Sequence, residues 1–397
     1  MMATLRAHGA RRWTGAMTMA AMAWRAIGTL AAGLALCAAL PARAEEALDL
    51  SFEYTADIAL TAAGGEDSRL RYLDNLGIAM DADLEQLAGI EGLRMRIGLL
   101  GNAGARPNDG AATLEGVDNI EVGRRGLRMF EAWAEKDFPG GSLRLGLYDL
   151  NSEFYATDAS ALLIAPPFGI GSELAGIGRN GPSIFPSSAL AARIEARLQL
   201  PGGRVRLAAV NARAQTLGDP GGIDLSFSDG LLLIGEVGAG ERLRLALGGW
   251  TLTRPAPDAL PGDRRPAGLY GLMEADLVDG ARKFTLFLRG GATRADSAPF
   301  RNSLQAGLLL APALAWRESS AFSIGYHRAT TSARFRDELA ADGGSPWRTE
   351  HKVEVTYSDS PGGPVAIQPN LQWIVQTAPG LPNRKALHAT LRLTLTL

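Results

Sequence analysis

Two constraints narrow the fold of this chain more than any others. It opens and closes on an alternation of period two, and between those ends nothing is apolar for long enough to form a membrane helix. From Leu48 the even positions Leu48, Leu50, Phe52, Tyr54, Ala56, Ile58 and Leu60 are apolar, whereas Asp49, Ser51, Glu53, Thr55 and Asp57 are polar or charged. At the other end Leu387, Ala389, Leu391, Leu393, Leu395 and Leu397 alternate with His388, Thr390, Arg392, Thr394 and Thr396. Successive side chains of a strand point to opposite faces, so both segments read as strands with one apolar and one polar face. The best apolar run beyond the N-terminal region, Ala306–Trp316, has 11 residues and is broken by Pro312, well short of the ~20 residues that a spanning helix needs.

The same pattern recurs along the chain, in Leu93-Met95-Ile97-Leu99, Leu143-Leu145-Leu147, Ala192-Ile194-Ala196-Leu198 and Val353-Val355-Tyr357. A soluble β-sandwich also alternates, but here the polar faces carry ladders of charge that suit a water-filled lumen better than a dry core. Strands near the length of a tilted bilayer crossing, and strand pattern running to the last residue, favour a transmembrane antiparallel β-barrel closed first strand onto last. The pattern predicts sixteen strands, near 47–60, 69–83, 92–101, 127–137, 142–149, 189–200, 203–213, 230–239, 242–254, 267–278, 282–294, 301–314, 320–332, 350–358, 365–377 and 385–397. Sixteen is a size at which a barrel encloses an aqueous channel. Gly/Pro connections such as Pro139–Gly141, Pro201–Gly203 and Pro361–Pro364 suit periplasmic turns, and the longer polar ones at 102–119, 255–266 and 333–349 suit the outer face. Residues 149–188 hold little strand pattern, and Leu162, Leu163, Ile164, Phe168, Ile184 and Phe185 give them apolar anchors. A segment this long is expected to fold into the lumen as a constriction loop.

Residues 1–44 read as a secretory signal peptide: Arg6, Arg11, Arg12 and Arg25 precede or flank an apolar stretch from Ala26 to Leu40, and Ala42-Arg43-Ala44 offers a cleavage site. The leader contains the chain's single cysteine, Cys37, so residues 45–397 form a cysteine-free barrel domain. The whole chain balances 40 basic against 42 acidic residues, and removing the leader's five arginines takes the net charge from −2 to −7. That balance excludes a nucleic-acid partner, which calls for a basic excess.

A set of short blocks resembles one known family. They are Tyr72–Asn75, Asp83–Gly89, Asn119–Glu121, Arg128–Trp133, Leu145–Phe154, Leu233–Glu236, Leu247–Trp250, Gly268–Gly271 and Gln368–Gln372, in that order. Together they resemble the carbohydrate-selective porin family, the OprB type, across nearly all of the chain beyond the leader. The chain departs from it in ending on Leu397 rather than an aromatic residue, and in a central loop poorer in Trp and Ser. The resemblance implies an outer-membrane channel with an inward loop and a constriction that binds sugars.

A sugar is neutral and covered in hydroxyls, each both donor and acceptor. A channel that prefers sugars therefore needs carboxylates and guanidinium groups close together. Around the long loop the candidate constriction residues are Glu121 and Arg125 ahead of the fourth strand, Glu131 on it, Arg144 on the fifth, Asp149, Asn151 and Glu153 opening the loop, and Arg71 and Arg193 at inward phase on the second and sixth. Any of them also serves as an ordinary cross-strand ion-pair partner. Glu121, Glu131, Asp149 and Glu153 would accept from sugar hydroxyls, and Arg125 and Arg144 would donate. Trp133 and Glu135 share the face of Glu131. Alternation turns Phe52, Tyr54, Tyr326 and Tyr357 to lipid as interfacial anchors. His327, His351 and His388 fall on different strands without neighbouring metal ligands. The chain is therefore read as a channel and not an enzyme, with no cofactor and no metal. Mono- or oligosaccharides and outer-membrane lipid are its expected partners, and self-association is left open. The competing reading is a general or cation-preferring porin, which a charge of −7 also permits.

Overall fold

The computed structural model describes residues 47–255, 260, 263–278 and 280–397. Residues 1–44, expected from the sequence to be a signal peptide, lie outside the described residues, as does part of the connection at 255–266. Sixteen strands are present among the described residues: β1 (Leu48–Gly64), β2 (Arg71–Asp83), β3 (Leu93–Gly104), β4 (Gly126–Phe138), β5 (Gly141–Tyr148), β6 (Ala189–Arg197), β7 (Arg204–Asn211), β8 (Leu231–Ala239), β9 (Leu243–Leu252), β10 (Ala267–Val278), β11 (Lys283–Thr293), β12 (Phe300–Ala311), β13 (Ala321–Thr331), β14 (Thr349–Ser358), β15 (Val365–Thr377) and β16 (Arg384–Thr396). Each pairs antiparallel with its sequence neighbours, and β1 closes onto β16. Closure leaves no unpaired edge, which a sheet in hydrocarbon cannot tolerate. The strands run from 8 to 17 residues, a wider spread than the bilayer-crossing length alone predicts.

Register decides which side chains meet. Asp57 lies opposite Arg392, Lys352 opposite His327, and Glu354 opposite Gln372, all on the inner face. The outer face carries Leu145, Leu247, Leu269 and Trp373, each more than half exposed. This is the reverse of a soluble sheet, and it follows from the solvent being lipid.

The buried apolar core lies inside the barrel. Segment 149–188 folds into the lumen, as the sequence led one to expect. Leu150, Phe154, Tyr155, Ile170 and Leu174 pack against inward Val210, Leu232, Ile234, Trp250, Leu252 and Tyr270, while Leu163 and Phe168 meet Phe287. Where they meet these apolar loop residues, strands β7 to β10 are thus apolar on both faces, and Leu231-Leu232-Leu233-Ile234 is the unbroken run that such a stretch requires. Inward glycines make room for the rings. A Cβ on Gly248 would stand 2.1 Å from the Tyr270 ring, and that ring stacks on Tyr155 at 4.2 Å.

Backbone groups of this loop are cut off from bulk water and must find partners elsewhere. Inward side chains supply them. Glu354 accepts from the N–H groups of Ile164 (2.5 Å) and Ala165 (3.0 Å). Glu274 accepts from Ala159 N–H at 2.7 Å, and Glu236 from Tyr155 N–H at 3.1 Å. Arg289 donates to the carbonyls of Tyr155, Gly169 and Pro167.

One expectation is corrected. The connection around 102–119 does not lie on the outer face. Its residues Ala111, Val117 and Asp118 are buried in the lumen, with Ala111 and Val117 against Ile374 and Ala386. The reason is again hydrogen bonding: Lys352 donates to Gly116 O (2.5 Å), Gln372 to Val117 O (2.7 Å), and Glu350 accepts from Leu114 N–H (2.6 Å). The connection at 333–349 matches its expectation, as an exposed helix, Ala333–Ala341, without buried residues.

Replacing Glu354 by Ala removes the acceptor for two buried N–H groups. Each orphaned group costs about 1–3 kcal/mol, so the loop loosens while the closed sheet remains. Single-channel recording is expected to show a larger and noisier conductance than wild type, and unheated protein to keep the fast gel migration of a folded barrel.

Candidate functional site

Strands β4, β5 and β6 bring four expected residues into one network. Arg144 and Arg193 lie directly opposite each other, a repulsive placement unless anions bridge it. Two do. Glu135 binds Arg144 at 2.6 Å and Arg193 at 2.9 Å, and Glu153 binds Arg193 at 2.7 Å and Arg144 at 3.5 Å. Arg193 also donates to Ser142 (2.6 Å), and Tyr148 donates to Glu153 (2.5 Å). The Trp133 ring lies 4.0 Å from the Arg144 guanidinium, and its Nε1–H donates to Glu131 (3.0 Å). Glu131 in turn binds Arg96 at 2.8 Å. One face of Trp133 is therefore covered by the protein's own cation, which disfavours it as a stacking surface for a sugar ring.

Where the long loop begins, a cavity of about 560 Å³ opens in the lumen. Glu53 and Thr55 of β1, Asn75 of β2 and Arg392 of β16 line one wall; Glu115, Asp118, Asn119 and Glu121 from the inward 105–125 connection line another. Asp149, Asn151 and residues 166–170 of the long loop complete it. Asp149 caps the short turn that opens the loop, accepting from Asn151 N–H at 3.0 Å. Burial, reinforced by Glu131, pushes its carboxyl up to about 7, against the opposing pull of that hydrogen bond. Burial also raises Glu121, opposed by the N–H of Asn108 and by Arg106. Below, toward the short turns, a second opening is lined by Asp49, Asp81, Asp83, Arg94 and Trp133.

The expected residues thus divide. Glu131, Arg144, Glu153 and Arg193 form the network; Glu121, Asp149 and Asn151 face the cavity. Arg71 keeps its inward phase but is buried at the long-loop end, held by Asp67 (2.7 Å) and the Arg69 carbonyl. Arg125 is exposed ahead of β4. The long loop packs chiefly against β7 to β15, and both its ends reach β4–β6: Glu153 joins the network, Ser183 donates to the Tyr148 carbonyl, and Phe185 meets Phe130 edge-on at 6.4 Å. Glu115, Asp118, Asn119 and Arg392 line the cavity without having been singled out. Arg392 bridges Asp57 (2.7 Å) and Asn119 (2.7 Å), and its place in the terminal alternation was the available signal. His388 bonds to Thr61 and Thr390, while Ser303 donates to Glu173 and Ser323 to the Leu308 carbonyl, so His388 pairs with neither of these serines.

A family model described as carbohydrate-selective porin, OprB family, matches residues 67–397. The chain belongs to the OprB family of carbohydrate-selective porins. It is an outer-membrane sugar channel and not an enzyme. Among solved structures, OprB of Pseudomonas putida at high pH is similar with a TM-score of 0.74 at 18% identity, over 89% of this chain and 95% of that one. The outer-membrane channel DcaP of Acinetobacter baumannii follows at TM-score 0.57 and 12% identity, over 88% and 97%. OmpT of Vibrio cholerae in trimer form gives 0.53 at 9%, over 88% and 99%. No curated protein matches.

In this OprB-family channel Asp149 is neutral below its raised value and anionic above it. Reversal potentials in a KCl gradient are expected to shift toward cation selectivity as pH rises from about 6 to about 8, bracketing that value. Asp149→Asn should remove this shift.

Proposed function

We propose that sugars crossing this porin are held weakly where the start of the long loop joins the cavity to the β4–β6 network. Glu121, Glu131, Asp149 and Glu153 accept hydrogen bonds from hydroxyls, Asn151 offers both kinds of partner, and Arg144 donates. Arg193 and Glu135 hold Arg144 and Glu153 in place, while Arg71 and Arg125 stand nearer the outer mouth. The supporting observation is that one short stretch opening the long loop carries Glu153 into the ion-pair network of Arg144 and Arg193 and carries Asp149 and Asn151 into the cavity wall. Charge-assisted hydrogen bonds are individually stronger than neutral ones, yet passage requires release. Affinity in the millimolar range, about −4 kcal/mol, reconciles the two. The apolar outer band is read as the surface that meets outer-membrane lipid, and residues 1–44 as the leader that directs export.

The double variant Arg144→Ala with Glu153→Ala removes one charge of each sign and leaves the Glu135–Arg193 pair balanced, so the barrel is expected to persist. Block of ion current by added sugar should weaken several-fold in planar-bilayer recordings. Wild-type block and wild-type sugar flux in that variant would move the site elsewhere in the lumen. Normal conductance with no sugar block in the unmodified protein would instead favour a general porin, the reading that the charge of −7 also supports.

A further inference from the structure

We propose that the open path through this barrel selects protonated amino sugars over acidic ones, because its arginines are neutralised by their own carboxylates while a line of other carboxylates is left to face the permeant. This deepens the sugar-channel reading and rests on it.

The arginines at the cavity and the lower opening are committed, while Arg125, exposed ahead of β4, lines neither. Arg94 binds Asp137 at 3.1 Å, Arg96 bridges Asp81 and Glu131, Arg144 is held by Glu135, and Arg392 by Asp57. Asp49 and Glu53 differ. Both are exposed on the inner face of β1, about 13 Å apart along the strand. The cross-strand neighbours of Glu53 are Gly77 and Thr396, neither of which carries a charge. Asp49 lies opposite Asp81, another acid, whose partner is Arg96. Glu53 lines the upper cavity and Asp49 the lower opening. The path from the lower opening into the cavity is thus acidic, with the arginines beside it already paired. Water screens such charges but does not abolish their effect over a few ångströms.

The chemistry that fits is a hexose carrying an ammonium group: hydroxyls for the mixed donors and acceptors, and a positive charge for Asp49 and Glu53. Liposome swelling at about pH 6.5, where an amino-sugar ammonium is largely protonated, tests it with glucosamine, glucose and glucuronate. Wild-type protein is expected to admit glucosamine about fivefold faster than glucose and glucuronate about fivefold slower, each the effect of one unit charge met at ~4 Å in water, so the two charged sugars differ by about 25-fold. Asp49→Asn with Glu53→Gln should reduce that ratio toward one, and Glu53→Lys should reverse it. The heat-dependent gel shift of each variant establishes that it is folded. Equal entry of glucosamine and glucuronate beside normal glucose entry would overturn the preference and leave the sugar channel standing. An undiminished ratio in the folded double variant would also overturn it, since other groups would then set the charge preference. Failure to admit any of the three sugars would overturn the channel reading itself.

Discussion

The arrangement depends on one substitution: inner-wall side chains take the place of water for the backbone of two long connections. A loop folded into a barrel loses solvent for its N–H and C=O groups, and each unpaired group is costly. Here Glu236, Glu274, Glu350 and Glu354 accept, and Arg289, Lys352, Gln368, Gln372 and Gln376 donate. All project inward from β8, β10, β11, β14 and β15. Without them the apolar contacts of Phe154, Leu174 and Phe168 would not compensate for the backbone they carry inside.

That substitution divides the lumen. The β7–β13 side is filled by Tyr155, Leu163, Phe168 and their neighbours. The open space is left along β1, β2 and β16, where Glu53, Thr55, Asn75 and Arg392 face the cavity. The permeant's path therefore follows from where the loops are anchored, on the wall that runs from β8 round to β15. Residues such as Glu354 can influence conductance without meeting a solute.

Paired charges on the open side do a different job. Arg144 and Arg193, directly opposite each other, are held together by Glu135 and Glu153 in a network with no excess of either sign. Such a network presents directional donors and acceptors with little field, which suits neutral polyols. The uncompensated acids Asp49 and Glu53 superimpose a field on that background. Specificity for hydroxyls and preference for charge are in this way carried by separate residues.

Much of the architecture was legible in the residues because period two is a local property. The side-chain faces of β1 and β16 can be read from Leu48–Leu60 and Leu387–Leu397, and closure follows from the need to leave no edge in lipid. The inward course of 149–188 was legible too, from apolar anchors in a segment without strand pattern. What no local pattern carries is partnership across the barrel. The inward course of the 105–125 connection depends on Lys352, Glu350 and Gln372, more than two hundred positions away in the chain. Arg71 and Arg193 share the same inward phase, yet one is taken by Asp67 at the rim and the other joins the ion-pair network of β4–β6. Alternation determines which face a charge occupies; only closure of the sheet and filling of its lumen decide which opposite charge it meets, because those neighbours are set by register and loop packing over distances that sequence spacing does not encode.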